Sequence, residues 1–289
     1  MSNLIRLLFI VIISNAGGEG KTLLAQLIQA LLQLAGDPVI MLDGDPGNQA
    51  AKVADDNAKV VGWGVDAIKA PDILAATNHA HVILDLGANS LASAREIVEL
   101  LPALRTTFAE ASYRTVAFMP VSTNKIGAVE AIKTLASKIE GFERLFVKVN
   151  RDNSRAFGGT LEGDDVIDVG HLRPGFQAYI RQPGQTMANA VAHPPKGFGL
   201  AAAQVAEWMR DFAAQPPVLD LIGSIPKTLG QHDRPVAVPG FPVNVIEHAT
   251  DAALTENIRR TRVTQAIARA GFTPEGLRKV AALIESGNL

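Results

Sequence analysis

Along the first 215 residues, short and almost continuously apolar runs alternate with longer segments in which apolar residues recur every three or four positions. Continuous apolar runs are typical of parallel strands that are covered on both faces, and the longer period is typical of amphipathic helices. The alternation therefore predicts an α/β fold with a mainly parallel sheet and helices on both faces. The predicted strands cover residues 5–13, 39–42, 81–84, 115–119 and 145–149.

Several element ends can also be predicted. Apolar residues at helical spacing from Leu24 to Leu34 predict the first helix. Gly36 can take a left-handed cap and Pro38 cannot continue a helix, so we expect the first helix to end there. Farther along we predict a Gly- and Asp-rich loop over residues 158–175 with a short strand at 166–169, and a last helix of the domain over 200–213.

The prolines between residues 216 and 242 predict a domain boundary, because they leave little room for regular structure. Two short helical patterns follow, at residues 254–270 and 274–286. We therefore predict a nucleotide-binding domain over residues 1–215, a Pro-rich linker over 216–250 and a helical C-terminal extension over 251–289.

The composition is that of a soluble globular protein, with 47% apolar and 19% charged residues. The apolar run near the N terminus leads directly into a glycine loop, so it predicts a buried strand rather than a signal peptide, and we expect no membrane contact. Lys and Arg number 27 against 29 Asp and Glu, so any contact with DNA would need a local basic patch. The absence of cysteine excludes disulfides and thiolate metal sites and suits a cytoplasmic protein.

The segment SNAGGEGKT, residues 14–22, lies between the first predicted strand and the first predicted helix. Consecutive backbone N–H groups of such a loop can surround a phosphate, and the helix N terminus behind it adds positive potential. In loops of this kind the lysine contacts the β- and γ-phosphates and the next hydroxyl binds Mg²⁺. The residues that fit this phosphate-binding pattern are Gly17, Gly18, Gly20, Lys21 and Thr22.

The loop departs from the common pattern G-x-x-x-x-G-K-[ST], because Asn15 stands at the position of the first glycine. It resembles the deviant loop KGGxGK[ST] of the ParA/MinD family of ATPases, in which an Asn often precedes the first lysine. The resemblance extends over about residues 5–213 and implies that ATP and Mg²⁺ are the cofactors. It implies that Asn15, the three glycines, Lys21 and Thr22 bind the nucleotide, that Lys21 is catalytic and that Thr22 binds the metal.

Two further segments resemble the family in the same chain order. LDGDPGNQ, residues 42–49, is similar to the switch segment DxDPQGN, which implies that Asp45 is a catalytic residue that positions water and that Asp43 faces the metal. A plain Asp-Gly-Asp-Pro turn would explain the same residues without a function. HVILDLGANS, residues 81–90, is similar to the second switch segment, which implies that Asp85 binds Mg²⁺.

A softer match is LFVKVNRDN, residues 145–153, in which an apolar run ends at Asn150. The family commonly places an Asn there to hydrogen-bond the adenine, which implies that role for Asn150. An Asn that caps a turn at the end of a strand is an almost equal alternative.

Three residues depart from the family pattern. Ala16 stands where the family has the lysine that reaches the partner's phosphates in a dimer, and Leu23 stands where many relatives have a second hydroxyl. Glu19 places an acid beside the anion site and should repel a triphosphate unless it is paired with a cation. We therefore predict weaker nucleotide binding or slower turnover than in relatives with the full loop. Lys125, Arg151 and Arg155 are candidates for the missing cation.

The resemblance implies an ATP hydrolase whose nucleotide state controls homodimerisation and the binding of a partner or DNA, in plasmid partition or transfer. The C-terminal extension is a candidate surface for a protein partner, and its loose helix-turn-helix pattern makes DNA a further candidate. Two alternatives stay open: a degenerate nucleotide-binding scaffold with little hydrolysis, and a dethiobiotin synthetase-like ligase on the same fold.

Overall fold

The computed structural model describes residues 7–44, 49–61, 70–77, 79–86, 94–182 and 185–230. Within these ranges the strands form one parallel sheet in the order β3-β2-β4-β1-β5-β6-β7. The strands are β1 (Leu8–Ile12), β2 (Val39–Asp43), β3 (Lys59–Val60), β4 (His81–Asp85), β5 (Arg114–Ser122), β6 (Glu143–Val149) and β7 (Val166–Asp168).

Helices cover both faces of this sheet, which confirms the predicted α/β fold. They are α1 (Lys21–Ala35), α2 (Ala50–Ala54), α3 (Ala70–Ala75), α4 (Ala94–Glu110), α5 (Ala128–Ala136), α6 (Pro174–Ile180), α7 (Met187–Ala192), α8 (Gly199–Ala213), α9 (Pro216–Ile222) and α10 (Lys227–Gly230). None of the helices in the described ranges is long and apolar enough to cross a membrane.

The core has one part on each face of the sheet, and β1 contributes to both. Ile10 and Ile12 belong to the cluster that includes residues of α1 and of α6 to α10. Phe9 and Val11 belong to the cluster with residues of α3, α4 and α5, where the rings of Phe9 and Phe108 stack with centroids 4.0 Å apart. Successive strand residues point to opposite faces, so a strand buried on both faces needs an apolar residue at every position.

The structure confirms the main predicted element ends and corrects others. α1 ends at Gly36, which has a left-handed φ of 93°. The fifth strand is longer than predicted and continues through Pro120 to Ser122, because it pairs with β6 along that whole length. The two-residue strand β3 was not predicted, since so short a strand has no detectable period.

The structure describes the first part of the predicted linker, residues 216–230, which contains α9 and α10. Pro216 and Pro217 begin α9, where a missing backbone N–H breaks no helical hydrogen bond. Leu221 and Ile222 of α9 and Leu229 of α10 are buried in the same core cluster as α1. Residues 216–230 therefore pack on the core of the sheet domain, and the predicted division into three parts stays a prediction. The rest of the predicted linker and the C-terminal extension lie outside the described residues.

Candidate nucleotide-binding site

The predicted site residues that the structure describes meet at the carboxyl edge of the sheet. The loop from Ser14 to Gly20 follows β1, Asp43 ends β2, Asp85 ends β4 and Asn150 follows β6. The chain leaves β1 for β2 on one side of the sheet and reaches β5 on the other, so its direction of travel reverses at β1. Ligands of open α/β sheets bind at such a switch point, outside the carboxyl ends of the strands.

The loop backbone has the form of an anion cradle. Gly18 and Gly20 have φ of 72° and 89°, which side-chain-bearing residues rarely adopt. A Cβ at Gly20 would lie 3.0 Å from Val149 Cγ1, so the loop also packs closely against β6. Gly20 is the N-cap of α1 and no side chain caps it. The first N–H groups of a 15-residue helix thus start at the loop, as a phosphate site requires.

Lys21 is held against the loop. It is 6% exposed, and its Nζ donates hydrogen bonds to Ser14 Oγ at 3.0 Å and to the Ala16 carbonyl at 2.9 Å. Thr22 follows in the first turn of α1 and is half-buried. Asn15 is also half-buried, and its side chain makes no hydrogen bond to another residue that the structure describes. The Lys21 ammonium therefore lies inside the loop.

Glu19 is paired with a cation. It is 3% exposed, one carboxylate oxygen accepts from Ser122 N at 2.6 Å, and the other lies 3.1 Å from Lys125 Nζ. Paired and hydrogen-bonded charges lose most of their long-range effect on a third charge. The sequence suggested that an unpaired Glu19 would repel a triphosphate, but Glu19 is paired, so that repulsion is not expected. Glu19 instead connects the loop to the end of β5.

Two of the three candidate cations reach the loop. Lys125 Nζ donates to the Gly17 carbonyl as well as to Glu19, and Arg151 Nη1 donates to the Gly18 carbonyl at 2.6 Å. Arg155 contributes its backbone N–H, which donates to Asn150 Oδ1 at 3.2 Å. Lys125 is thus neutralised by an acid, whereas the partner found for Arg151 is a neutral carbonyl.

Close backbone contact fixes the turn that carries Lys125. Asn124 N donates to the Ala156 carbonyl at 2.9 Å, and a Cβ at Gly158 would lie only 2.5 Å from the Lys125 carbonyl oxygen. The turn after β5 and the loop after β6 therefore hold each other, and together they hold the phosphate loop.

Asp43 and Asp85 lie side by side on the sheet. They are in register on neighbouring parallel strands, and both are buried, at 1% and 4% exposure. Asp43 Oδ2 accepts from the backbone N–H groups of Ala51 and Lys52, each at 3.0 Å, so it binds the start of α2. Asp43 therefore has a structural role that the sequence did not reveal, and a metal role for Asp43 or Asp85 stays a prediction.

No group of three or more His, Cys, Asp and Glu side chains that could hold a metal occurs among the residues described. Mg²⁺ usually keeps several waters and takes one or two carboxylates together with phosphate oxygens, so a site built on few protein ligands suits it. Asp45, the predicted catalytic carboxylate, lies outside the described residues.

A cavity of about 200 Å³ opens beside the loop. It is lined by Gly18, Gly20 and the first turn of α1 to Leu23, together with residues from α6, α8 and the ends of β6 and β7. Asn150 lines this cavity and is 4% exposed, and its contact with a base stays a prediction. Its Oδ1 also accepts from Arg155 N, so the turn-capping alternative describes part of its role.

Sequence reasoning missed the lining residues of the cavity that come from the helices after β7. Gln177 and Arg181 come from α6 and the residue after it, and Trp208 comes from α8, where Nε1 donates to the Val169 carbonyl at 2.6 Å. Burial lowers the pKa of Arg181, and the positive charge of Arg151 lowers it further. These side chains belong to no motif, so only their meeting in space identifies them.

The fold and site together define a nucleotide-binding domain of the P-loop class. The sequence model of the CobQ/CobB/MinD/ParA nucleotide binding domain, CbiA, matches residues 10–169, which is more than half of the chain. The protein therefore belongs to this family, as the motifs implied.

Several solved structures show a weak likeness to this chain. The cell division ATPase MinD from Pyrococcus furiosus is 17% identical over 70% of this chain and 98% of its own, with a TM-score of 0.38. A protein from Borrelia burgdorferi B31 described as a plasmid partition protein, bound to AMPPNP, is 14% identical over 58% of this chain and 88% of its own, with a TM-score of 0.39.

The signal recognition particle receptor FtsY from Elizabethkingia anophelis is 15% identical over 49% of this chain, with a TM-score of 0.37, and the chain covers only 50% of that protein's length. Likeness at this level does not transfer a function. A comparison with the curated proteins gives no match.

Proposed function

We propose that the protein binds ATP with Mg²⁺, hydrolyses it slowly, and uses its nucleotide state to control self-association and the binding of a partner or DNA in the cytoplasm. The observation that carries the proposal is the phosphate loop: an uncapped helix N terminus behind two left-handed glycines, with the Lys21 ammonium buried inside. The hydrogen bonds of the Lys21 ammonium to Ser14 and to the Ala16 carbonyl hold its positive charge beside the loop N–H groups, where a bound phosphate would meet it.

The residues present suit both ATP and a metal ion beside its phosphates. The loop N–H groups, Lys21 and Thr22 would hold the phosphates, and Asn150 would contact the base. Thr22 and Asp85 would hold Mg²⁺, which neutralises phosphate charge when it is bound. Asp45 would orient the attacking water. Each of these roles is part of the proposal.

Slow turnover follows from Ala16. A side chain without charge cannot stabilise the charge that develops on the transferred phosphoryl group. Lys125 is neutralised by Glu19, whereas Arg151 contacts a loop carbonyl and lines the same cavity. Arg151 is therefore our candidate for a replacement cation supplied by the same chain.

The turn that carries Lys125 is our candidate surface for self-association. Ile126, the next residue along the chain, has a fully exposed apolar side chain, although its neighbour Lys125 contacts the phosphate loop. A second copy that covers the loop would bury this side chain. Replacement of Ile126 by Asp should weaken ATP-dependent dimers, while the affinity of the monomer for ATP stays the same.

The test is ATP binding, ATP turnover and dimerisation of the wild type, Lys21→Ala and Ala16→Lys, each with and without DNA. We expect Lys21→Ala to lose turnover and at least tenfold in ATP affinity, because a charge-assisted contact to phosphate is lost. We expect Ala16→Lys to raise turnover if it restores the missing cation.

Three results would contradict parts of the proposal. Wild-type turnover no faster than that of Lys21→Ala, with ATP bound, would favour the scaffold alternative, which the presence of Ala16 supports. Phosphorylation or ligation of a small substrate would favour the metabolic ligase. Absence of ATP binding by the folded wild type would end the nucleotide proposal.

A further inference from the structure

Three consecutive carbonyl groups of the phosphate loop each accept a hydrogen bond from a different cationic side chain. The pairs, with the carbonyl first, are Ala16 with Lys21, Gly17 with Lys125 and Gly18 with Arg151. Lys21 belongs to the loop motif itself, whereas Lys125 comes from the turn after β5 and Arg151 from the loop after β6. Residues outside the motif therefore fix the direction of two of its peptide groups.

The direction of a carbonyl group decides the direction of the next N–H group. In a trans peptide the C=O of one residue and the N–H of the following residue point in opposite directions, and no cis peptide bond occurs in the described ranges. Lys125 at the Gly17 carbonyl therefore turns the Gly18 N–H away from itself. That N–H donates to no acceptor within the described residues, and such a group in a glycine loop can bind an anion.

Glu19 keeps Lys125 at the loop. Lys125 Nζ lies 3.1 Å from one carboxylate oxygen of Glu19, and the other oxygen accepts from Ser122 N at 2.6 Å. Glu19 is buried, and a buried carboxylate is stable only when it is paired and hydrogen-bonded. A movement of Lys125 to a phosphate would leave that carboxylate without its cation, which is unfavourable. Lys125 is therefore placed to hold the loop and not the ligand.

The backbone of Lys125 is itself fixed by its neighbours. Asn124 N donates to the Ala156 carbonyl at 2.9 Å, and a Cβ at Gly158 would lie 2.5 Å from the Lys125 carbonyl oxygen. Helix α5 starts soon after this turn, and its residue Val129 is fully buried in the core. Lys125 thus reaches the loop from a packed base, so the position of its backbone does not depend on the loop.

Resting on the proposed nucleotide function, we propose that Lys125 is a positioning residue for the nucleotide phosphates. Through the Gly17 carbonyl and the Glu19 carboxylate it holds the Gly18 N–H in the direction that a bound phosphate needs, and it does not contact the ligand. Lys125 therefore raises nucleotide affinity through the loop backbone, whereas Lys21 acts through its own charge.

The experiment measures the dissociation constants of ATP and ADP by calorimetry for the wild type, Lys125→Gln, Lys125→Arg, Glu19→Gln and the variant with both Gln substitutions. We expect Lys125→Gln to weaken both ligands about tenfold, because the loop loses a charge-assisted contact. Lys125→Arg should restore most of the affinity, since a guanidinium can donate to both acceptors. The double variant should bind about as Lys125→Gln does, because both substitutions break the same contact.

A second readout needs no ligand. In isotope-labelled free protein, the NMR amide signal of Gly18 should shift in Lys125→Gln and return towards its wild-type position in Lys125→Arg. The matched control is Lys133→Gln, which removes a lysine that lies 3.4 Å from Glu130 on the same helix, α5. It should change neither this signal nor the affinities. If Lys125→Gln does not fold, Lys125→Met replaces it, because Met keeps an unbranched apolar stem and removes the charge.

The possible results separate the role of Lys125 from the function on which it rests. If the wild type binds ATP and folded Lys125→Gln binds ATP and ADP as tightly, or leaves the Gly18 signal unshifted, the positioning role is wrong and the proposed function stands. If Glu19→Gln binds ATP more tightly, and loss of Lys125 costs more affinity in that background, Lys125 contacts the phosphates directly and the assignment is wrong. If the wild type binds no nucleotide, the proposed function fails and the role of Lys125 fails with it.

Discussion

The cavity beside the phosphate loop is lined by two groups of residues, here called its near side and its far side, which are built in different ways. The near side is one continuous segment, from Ser14 to Leu23, and its chemistry comes from backbone N–H groups and the start of a helix. The far side joins Asn150, Arg181 and Trp208, which come from separate segments and meet only because the sheet and helices pack together. The near side thus depends on local conformation, and the far side depends on the core.

Glu19 connects the near side, which depends on local conformation, with the packed core. It lies in the near segment, yet its partners Ser122 and Lys125 belong to the end of β5 and the turn after it. The same residue that looks like a defect in the local motif is a tertiary tie in the fold. A deviation inside a motif can therefore be explained only with knowledge of what packs against it.

The largest expected effect is a loss of stability when a buried side chain of the far side is truncated. Trp208→Ala removes a side chain that is 9% exposed and leaves the Val169 carbonyl without its hydrogen bond. We expect the free energy of unfolding to fall by about 3–5 kcal/mol, as for other buried aromatic truncations. Denaturant unfolding measures this change. Trp208→Phe should lose much less, and equal losses would mean that the hydrogen bond dominates.

The next effect tests the tie between the two sides. Glu19→Gln keeps an acceptor for Ser122 N but removes the ion pair with Lys125, so we expect a loss of about 1–2 kcal/mol in the free energy of unfolding. ATP affinity, measured by calorimetry, should not increase. A severalfold tighter binding of ATP would show instead that the Glu19 charge does repel the triphosphate.

A smaller loss of stability is expected from the near side, with a clear effect on binding. Gly20→Ala places a Cβ at a φ of 89°, 3.0 Å from Val149, and should destabilise the fold by about 1 kcal/mol or more. ATP affinity should fall about tenfold as the loop shifts.

Gly36→Ala is the matched control for that change. Its φ is 93°, a Cβ there meets nothing within 4 Å, and it lies at the far end of α1. It should lose similar backbone stability with no change in ATP affinity. Equal losses of ATP affinity in both variants would mean that the loop geometry at Gly20 is not special.

The smallest effect concerns pH and leaves both sides of the cavity untouched. His81 begins β4, its Nδ1 accepts from Leu8 N, and burial lowers its pKa from the ordinary 6.5, with Asp37 acting in the opposite direction. The unfolded chain therefore takes up the proton first, so stability should fall as the pH drops through about 6.5. His81→Gln should flatten this fall in thermal unfolding, and an unchanged pH profile would assign the fall to other groups.

Much of the fold could be predicted because its signals are local. β1 and β4 are buried at every position and are almost wholly apolar, and Gly36 ends α1 as predicted. β3 could not be predicted from two residues, and the start of α9 was hidden because Pro216 and Pro217 suggest a linker until Leu221 and Ile222 are seen in the core.

The sequence by itself determined the near side of the site. Glycines at 18 and 20, a lysine at 21 and a helix after them specify an anion cradle through backbone dihedrals and hydrogen-bonding groups that need no distant partner. Only the tertiary structure decided that Glu19 is neutralised, that Asp43 holds α2 and that Arg181 faces the cavity. These facts depend on which side chains packing brings within a few ångströms, and charge interactions depend on that distance and on burial.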